Sequence, residues 1–290
     1  MDLLINVLEQ GLLFSLVGIG VYITYKILDF PDLSVDGTYP LGACITGILL
    51  SNNVNPLIAV IASTLGGAIA GFVTAFLHVK LKISNLMSGI LVMIALYSVN
   101  LLIMGRSNIP LFTTDNFFKE KILLFGINIK PLLIIVFILV FIKIIYDIFM
   151  KTKIGYLLVT VGDNEKLVTS LGVNKDNIKI LGLMVSNALV ALSGGLTAQY
   201  NGLSDVGMGT GVVVKGLACV IIGTSILSSL SVLKSSTRSI IGSIIYYAAI
   251  SIALKMNVDP NLLNLITAIV IIIALSLQNK NFVRRGKSDA

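Results

Sequence analysis

The chain has 290 residues, 56% hydrophobic and 12% charged, with a formal net charge of +7 and a mean hydropathy of +0.98. Soluble domains carry about a quarter charged residues, so the charge deficit excludes a water-soluble enzyme and points to one all-α, polytopic membrane domain over residues 1–290. One histidine, His78, and two cysteines, Cys44 and Cys219, cannot assemble a Cys/His metal site, and positive charge in such a chain reflects cytoplasmic loops rather than nucleic-acid binding.

A helix needs about 20 apolar residues to cross the hydrocarbon core, and charge-free runs locate the candidates. Residues 10–25 form the first. The residues before it carry Asp2 and Glu9 and no basic stretch, so no cleavable signal peptide is expected. Residues 37–79 hold no Asp, Glu, Lys or Arg, yet are too long for one helix. The polar run Ser51-Asn52-Asn53-Val54-Asn55-Pro56 divides them into a short element at 40–51 and a span at 56–77. Further spans follow at 83–105 and 129–149, the latter with Lys143 and Asp147 four apart on one face. After a polar stretch come 180–200, 208–229, 237–254 and 261–278. The prediction is nine transmembrane elements, within a range of eight to ten.

Basic residues set the orientation. With the C-terminus cytoplasmic, the inner side holds Lys26, Lys80, Lys82, Lys151, Lys153, Lys166, Lys175, Lys179, Lys234, Arg238, Lys280, Arg284, Arg285 and Lys287. The outer side holds only Arg106, Lys119, Lys121, Lys130 and Lys255. This positive-inside bias places the N-terminus outside. If 40–51 is re-entrant, the N-terminus moves inside and the downstream orientation is unchanged.

Small residues gather where helices would cross: Gly18 and Gly20, Gly66-Gly67, Ala70-Gly71, Ser193-Gly194-Gly195 and Gly216. They let backbones approach closely. Leu33-Ser34-Val35-Asp36-Gly37 precedes Ala43-Cys44, and Leu203-Ser204-Asp205-Val206-Gly207 precedes Ala218-Cys219. The spacings differ by five residues, so coincidence competes with an internal repeat. Five elements separate the copies, so the repeat would be inverted, as in transporters with a midplane pathway.

No G-x-x-x-x-G-K-[ST], G-x-S-x-G, H-E-x-x-H or C-x-x-C occurs, so neither a P-loop nor a catalytic constellation is expected. No cofactor is implied. Lys215 is the one charge inside span 208–229. It reads either as a pathway residue or as a side chain snorkelling from a helix end to the interface.

The loop 151–179 carries the most information. Asp163 or Asn164 can cap a short helix over about 164–171 with Glu165 in its first turn. Leu167, Val168 and Leu171 form an apolar stripe, and Gly172 takes the position of a C-cap glycine. The stripe needs a cover, either lipid headgroups or a groove on a soluble partner.

The run from Thr152-Lys153-Ile154-Gly155 through Asn164 and Leu171-Gly172-Val173 to Ala191-Leu192-Ser193-Gly194-Gly195-Leu196 resembles ABC permeases of the branched-chain amino acid and ribose type. Asp32-Leu33-Ser34-Val35-Asp36-Gly37 with Leu41-Gly42-Ala43 is similar to the tryptophan- and tyrosine-type branch. Arginines common in that family's coupling segment stand here as Leu157 or Leu158 and Lys166, and Val161 replaces a small residue. The resemblance implies a fold similar to the cobalamin-type importers, with ten helices, in the cell membrane. It implies a permease subunit that is not itself an enzyme and forms the solute path for an amino acid or related solute. Its implied partners are a separate cytoplasmic ATP-binding subunit, an extracytoplasmic solute-binding protein and a second permease subunit, with a homodimer expected. The implied ATPase contact is 151–179, through Gly155, Asn164, Leu167, Leu171 and Gly172. An ion-coupled secondary transporter is the alternative, and it would need ionisable pathway groups, for which Lys215 is the sole candidate.

Overall fold

The computed structural model describes residues 2–119, 123–124, 127–227, 234–255, 262, 265–269 and 271–272. Seven helices among them are long and apolar enough to cross a membrane. The first, α1, covers Asp2–Tyr22 and continues as a π-helical turn over Ile23–Ile27. It begins well before the predicted residue 10, because Glu9 does not break it. Glu9 is buried and accepts a hydrogen bond from the Tyr200 hydroxyl at 2.7 Å.

Helix α2 covers Val35–Ser51, α3 Pro56–Val79 and α4 Asn85–Met104. The polar divider works as predicted: the Asn55 side chain accepts from the Leu57 amide, and Pro56 stands at the first helical position. Helix α4 stops at Gly105 in the left-handed region (φ 67°), the conformation that glycine adopts without a Cβ penalty. Helix α5 covers Lys130–Met150 and lies at the rim, with Phe137, Phe141, Ile144 and Ile148 exposed. Two short helices follow, α6 over Lys153–Asp163 and α7 over Glu165–Ser170. The short helix predicted over about 164–171 is α7, and residues 153–163 form a further helix that was not predicted.

Helix α8 covers Lys175–Asn201 and starts five residues before the predicted 180. Lys175 and Lys179 do not end it because both pair with Glu165. A strand, Leu203–Asp205, then pairs antiparallel with Asn108–Pro110, a tie between distant segments that periodicity did not reveal. A 3₁₀ turn at Val206–Gly209 leads into α9, Val212–Ile226, and α10 covers Ser235–Lys255. Of the predicted span 261–278, residues 265–269 and 271–272 are helical. Leu262 is also described, and the rest of the span lies outside the described residues, as do Lys121 and the basic residues from Lys280 onward.

Helices α1 and α8 form the centre and run antiparallel. Ser193 donates to the Leu13 carbonyl at 2.7 Å, and Ser186 to the Gly20 carbonyl at 2.8 Å. The predicted small residues stand at crossings. A Cβ at Gly42 would strike the Ala191 backbone, one at Gly194 the Tyr39 carbonyl, and one at Gly71 the Leu183 carbonyl. Direct backbone contact of this kind gives helices in lipid their packing attraction.

Helices α2 and α9 are short and opposed. Ser34, at the head of α2, meets Asn187 halfway along α8 at 3.3 Å, and Gly47, near its tail, lies against Ser204. Helix α2 therefore runs from mid-depth toward the end of the bundle where α8 finishes. Helix α9 runs the other way: its Gly223 contacts the backbone of Arg238 at the start of α10. Helix α2 begins within one copy of the suspected repeat and α9 follows the other, so the two copies lead into helices of opposite direction.

Candidate functional site

Two places gather polar or exposed groups beyond what packing requires. One is the segment 151–179. Thr152 caps α6 by accepting from the Gly155 amide at 3.3 Å, and buried Gly155 lies so close to Phe149 and Met150 that a Cβ would collide. Asn164 joins α6 to α7 in extended backbone, and its Oδ1 accepts from the amides of Lys166 at 3.1 Å and Leu167 at 3.3 Å. Gly172 has φ 73° and donates to the Thr169 carbonyl at 3.0 Å, which closes α7.

The predicted stripe is split. Val168 is fully buried among Leu158, Val161 and Ile178, whereas Leu167 is 50% and Leu171 62% exposed. A six-residue helix seated on its own neighbours has two faces, and the i, i+1, i+4 pattern did not say which of them was already covered. On α6, Tyr156 is 66% exposed, and Ile154 and Val159 are also exposed. These residues were missed because α6 was missed. The signal for it was Thr152 as a cap residue ahead of an apolar run. The segment is also tied to the centre. Gly162 contacts the Ile27 carbonyl at the end of α1, and Leu158 contacts Gly182 of α8.

Outside the membrane-spanning helices, Glu165 forms ion pairs with Lys175 and Lys179. The Lys175 hydrogen bond, followed by that from Lys179, holds its carboxyl well below the usual range, at about 2. On the same end of the bundle, Asp147 binds Lys143 at 3.0 Å, as predicted, and also Lys234 at 2.7 Å.

The second place is the mid-depth junction. Buried Asp32 accepts from the Ser34 amide and from Asn187 Nδ2, both at 2.8 Å. Asp36 accepts from the amides of Gly211 at 3.1 Å and Val213 at 2.7 Å. It thus satisfies the free N–H groups at the head of α9 from the first turn of α2. Asn100 donates to the Gly37 carbonyl at 3.2 Å. Lys215 stands one turn into α9, half-buried, with its ammonium 3.4 Å from the Thr210 carbonyl. The fold does not bring Lys215 near the predicted segment at 151–179.

The sequence profile described as branched-chain amino acid transport system / permease component matches residues 3–275. A tyrosine transport system permease protein of Clostridioides difficile is 49% identical over 96% of this chain and 92% of its own length. The ribose import permease protein RbsC of Escherichia coli is 24% identical over 96% of this chain and 85% of its own. An autoinducer 2 import system permease protein, LsrC, also of Escherichia coli, is 27% identical over 68% of this chain and 56% of its own. No solved structure matches the chain.

Proposed function

The chain belongs to the family of branched-chain amino acid transport system permease components and is a permease subunit of an ABC importer; on that premise we propose that it carries an aromatic amino acid, tyrosine or a close analogue, and is driven through α6 and α7. The solute reading follows the relative named for tyrosine transport. Membership in a permease family also displaces the ion-coupled alternative.

The working unit in this reading is a single domain over 1–290 in the cell membrane, with nine or ten helices in a cobalamin-type arrangement. Two copies form a homodimer around the solute path. A solute-binding protein meets the end where α8 finishes, and the C-terminus is cytoplasmic. ATP is hydrolysed by a separate subunit docked on α6 and α7.

One observation carries the docking assignment: apolar Tyr156, Leu167 and Leu171 stand exposed on a pair of short helices whose other face is fixed to α1 and α8. Exposed apolar groups rimmed by Lys153 and Lys166 suit a groove on a soluble partner. Gly155, Asn164 and Gly172 shape the segment, and Leu167 and Leu171 make the contact. Force at Leu171 then reaches Ile27 through Val168 and Gly162.

Co-purification with the ATP-binding subunit tests it. Leu171→Asp and Leu167→Asp should keep the fold and membrane abundance, because both side chains are exposed. They should weaken docking by about 2 kcal/mol or more, the cost of placing a charge in an apolar contact. Val168→Asp should instead unfold the segment. Full uptake and full subunit retention in both leucine variants would sink the docking reading.

A further inference from the structure

A cavity of about 210 Å³ lies inside the chain between α1, α2, α8, α9 and α10, at the end opposite α6 and α7. Ligand pockets for drug-sized molecules start near 300 Å³, so this one suits a single small solute and excludes a nucleotide or peptide. Three aromatic rings make one wall: Phe14 is 5.4 Å from Tyr247 and 6.3 Å from Tyr39, centre to centre. Among the described residues, Lys215 is the one charged residue of the lining.

That lysine has no direct ion-pair partner among the described residues. No carboxylate of the described residues lies within salt-bridge distance of it, and its ammonium stands 3.4 Å from the Thr210 carbonyl. The nearby carboxylate, Asp36, is committed to the amides of Gly211 and Val213. Asp36 acts on the ammonium only through space, so a half-buried Lys215 can still gain from a carboxylate placed directly on it. Gln10 and Thr197 add polar groups able to accept hydrogen bonds.

We propose that this cavity receives one α-amino acid, with Lys215 pairing its carboxylate and the rings of Phe14, Tyr39 and Tyr247 holding an aromatic side chain. The amino group faces Gln10 and Thr197. The inference rests on the aromatic amino acid reading above and adds a binding site within a single permease chain. Apolar walls with a few placed polar groups are the usual make-up of a solute site, and aromatic faces hold both a ring and an ammonium.

The test uses the assembled permease and ATP-binding subunit in nanodiscs, without the solute-binding protein, and measures saturable binding of tritiated L-tyrosine. L-phenylalanine should compete, and tyramine, which lacks the carboxylate, should not. Lys215→Met should weaken binding by about tenfold or more, and Lys215→Arg by no more than about threefold, as expected for a charge-assisted hydrogen bond. Both variants should match the parent in Tm. Equal binding by Lys215→Met, equal competition by tyramine, or no saturable binding would overturn the site. So would native mass spectrometry showing a phospholipid that occupies the parent and is lost from Lys215→Met. Uptake by the complete importer separates the two readings. Tyrosine uptake without Lys215-dependent binding overturns the cavity alone, and absence of uptake of any aromatic amino acid overturns the solute reading with it.

Discussion

Glu165 illustrates what one carboxylate does at the solvent-exposed end of the bundle. It stands in the first turn of α7, where a negative charge is favoured, but its larger role is to tie α7 to α8 through Lys175 and Lys179. The sequence reading placed Glu165 in that first turn. It could not supply the partners, because both lysines were assigned to a loop when they occupy the first turns of a helix. The carboxyl sits at about 2, against an ordinary value of 4.5. A folded-state pKa below the unfolded one means the stabilisation is complete above about pH 4.5 and is lost as the pH falls toward 2. The side chain is 41% exposed, so solvent limits the gain to about 1 kcal/mol. In permease labelled with carbon-13 at glutamate, the Glu165 carboxyl should remain ionised at about pH 3.5. Replacing Lys175 and Lys179 together with methionine should move its midpoint toward 4.5. A parent midpoint above about 4, the free-glutamate range, would show that the pairs do not form in the membrane.

At the scale of elements, the joint between α2 and α9 is the feature on which the two halves depend. Two helix N-termini meet at mid-depth, where lipid offers no hydrogen bonds to free amides. Asp36 resolves this by belonging to one helix and capping the other. Asp36→Leu removes both acceptors and should lower stability by about 2 to 4 kcal/mol, the sum of a lost cap and orphaned buried amides. Asp36→Asn keeps one acceptor oxygen and should cost about 1 kcal/mol. Unfolding midpoints in detergent rank the three proteins, and an unchanged midpoint for Asp36→Leu would remove the joint. The sequence revealed the long helices because hydropathy needs no partner: α3, α4 and α5 match their predicted spans to within two residues. It missed the start of α2 because Asp36 counted as a boundary, although its charge is met by a helix far along the chain. It missed the Asn108–Pro110 strand because pairing with Leu203–Asp205 is non-local. The suspected repeat shows in the sequence as Leu-Ser followed by Asp and Gly, with unequal spacing to the helices. The 3₁₀ turn Val206–Gly209 overlaps the end of the second copy and precedes α9.

At the scale of the molecule, the charges sort by end. Lys26, Lys80, Lys82, Lys151, Lys153 and Lys166 cluster where α6 and α7 lie, and Arg106 stands at the opposite end with the strand pair. Helix α1 runs antiparallel to α8, so the N-terminus lies at the Arg106 end, and the re-entrant alternative for residues 40–51 is not needed to place it. Helix α2 does begin at mid-depth, but the segment 28–34 climbs back to that depth before it starts, so α2 finishes at the end where α1 began. Since basic loops are retained in the cytoplasm, the α6–α7 end should face inward, where an ATP-binding subunit can reach Leu167 and Leu171. Cys44 and Cys219 are buried, which leaves a low background for thiol labelling. Ser107 and Ser84 are both exposed and stand at opposite ends of α4. With a membrane-impermeant maleimide, Ser107→Cys should react in intact cells and Ser84→Cys only after permeabilisation. Reaction of Ser84→Cys alone in intact cells would invert the molecule. It would place the docking face outside, beyond the reach of any cytoplasmic ATPase, and the proposed route of coupling from Leu171 through Gly162 to α1 would fail with it.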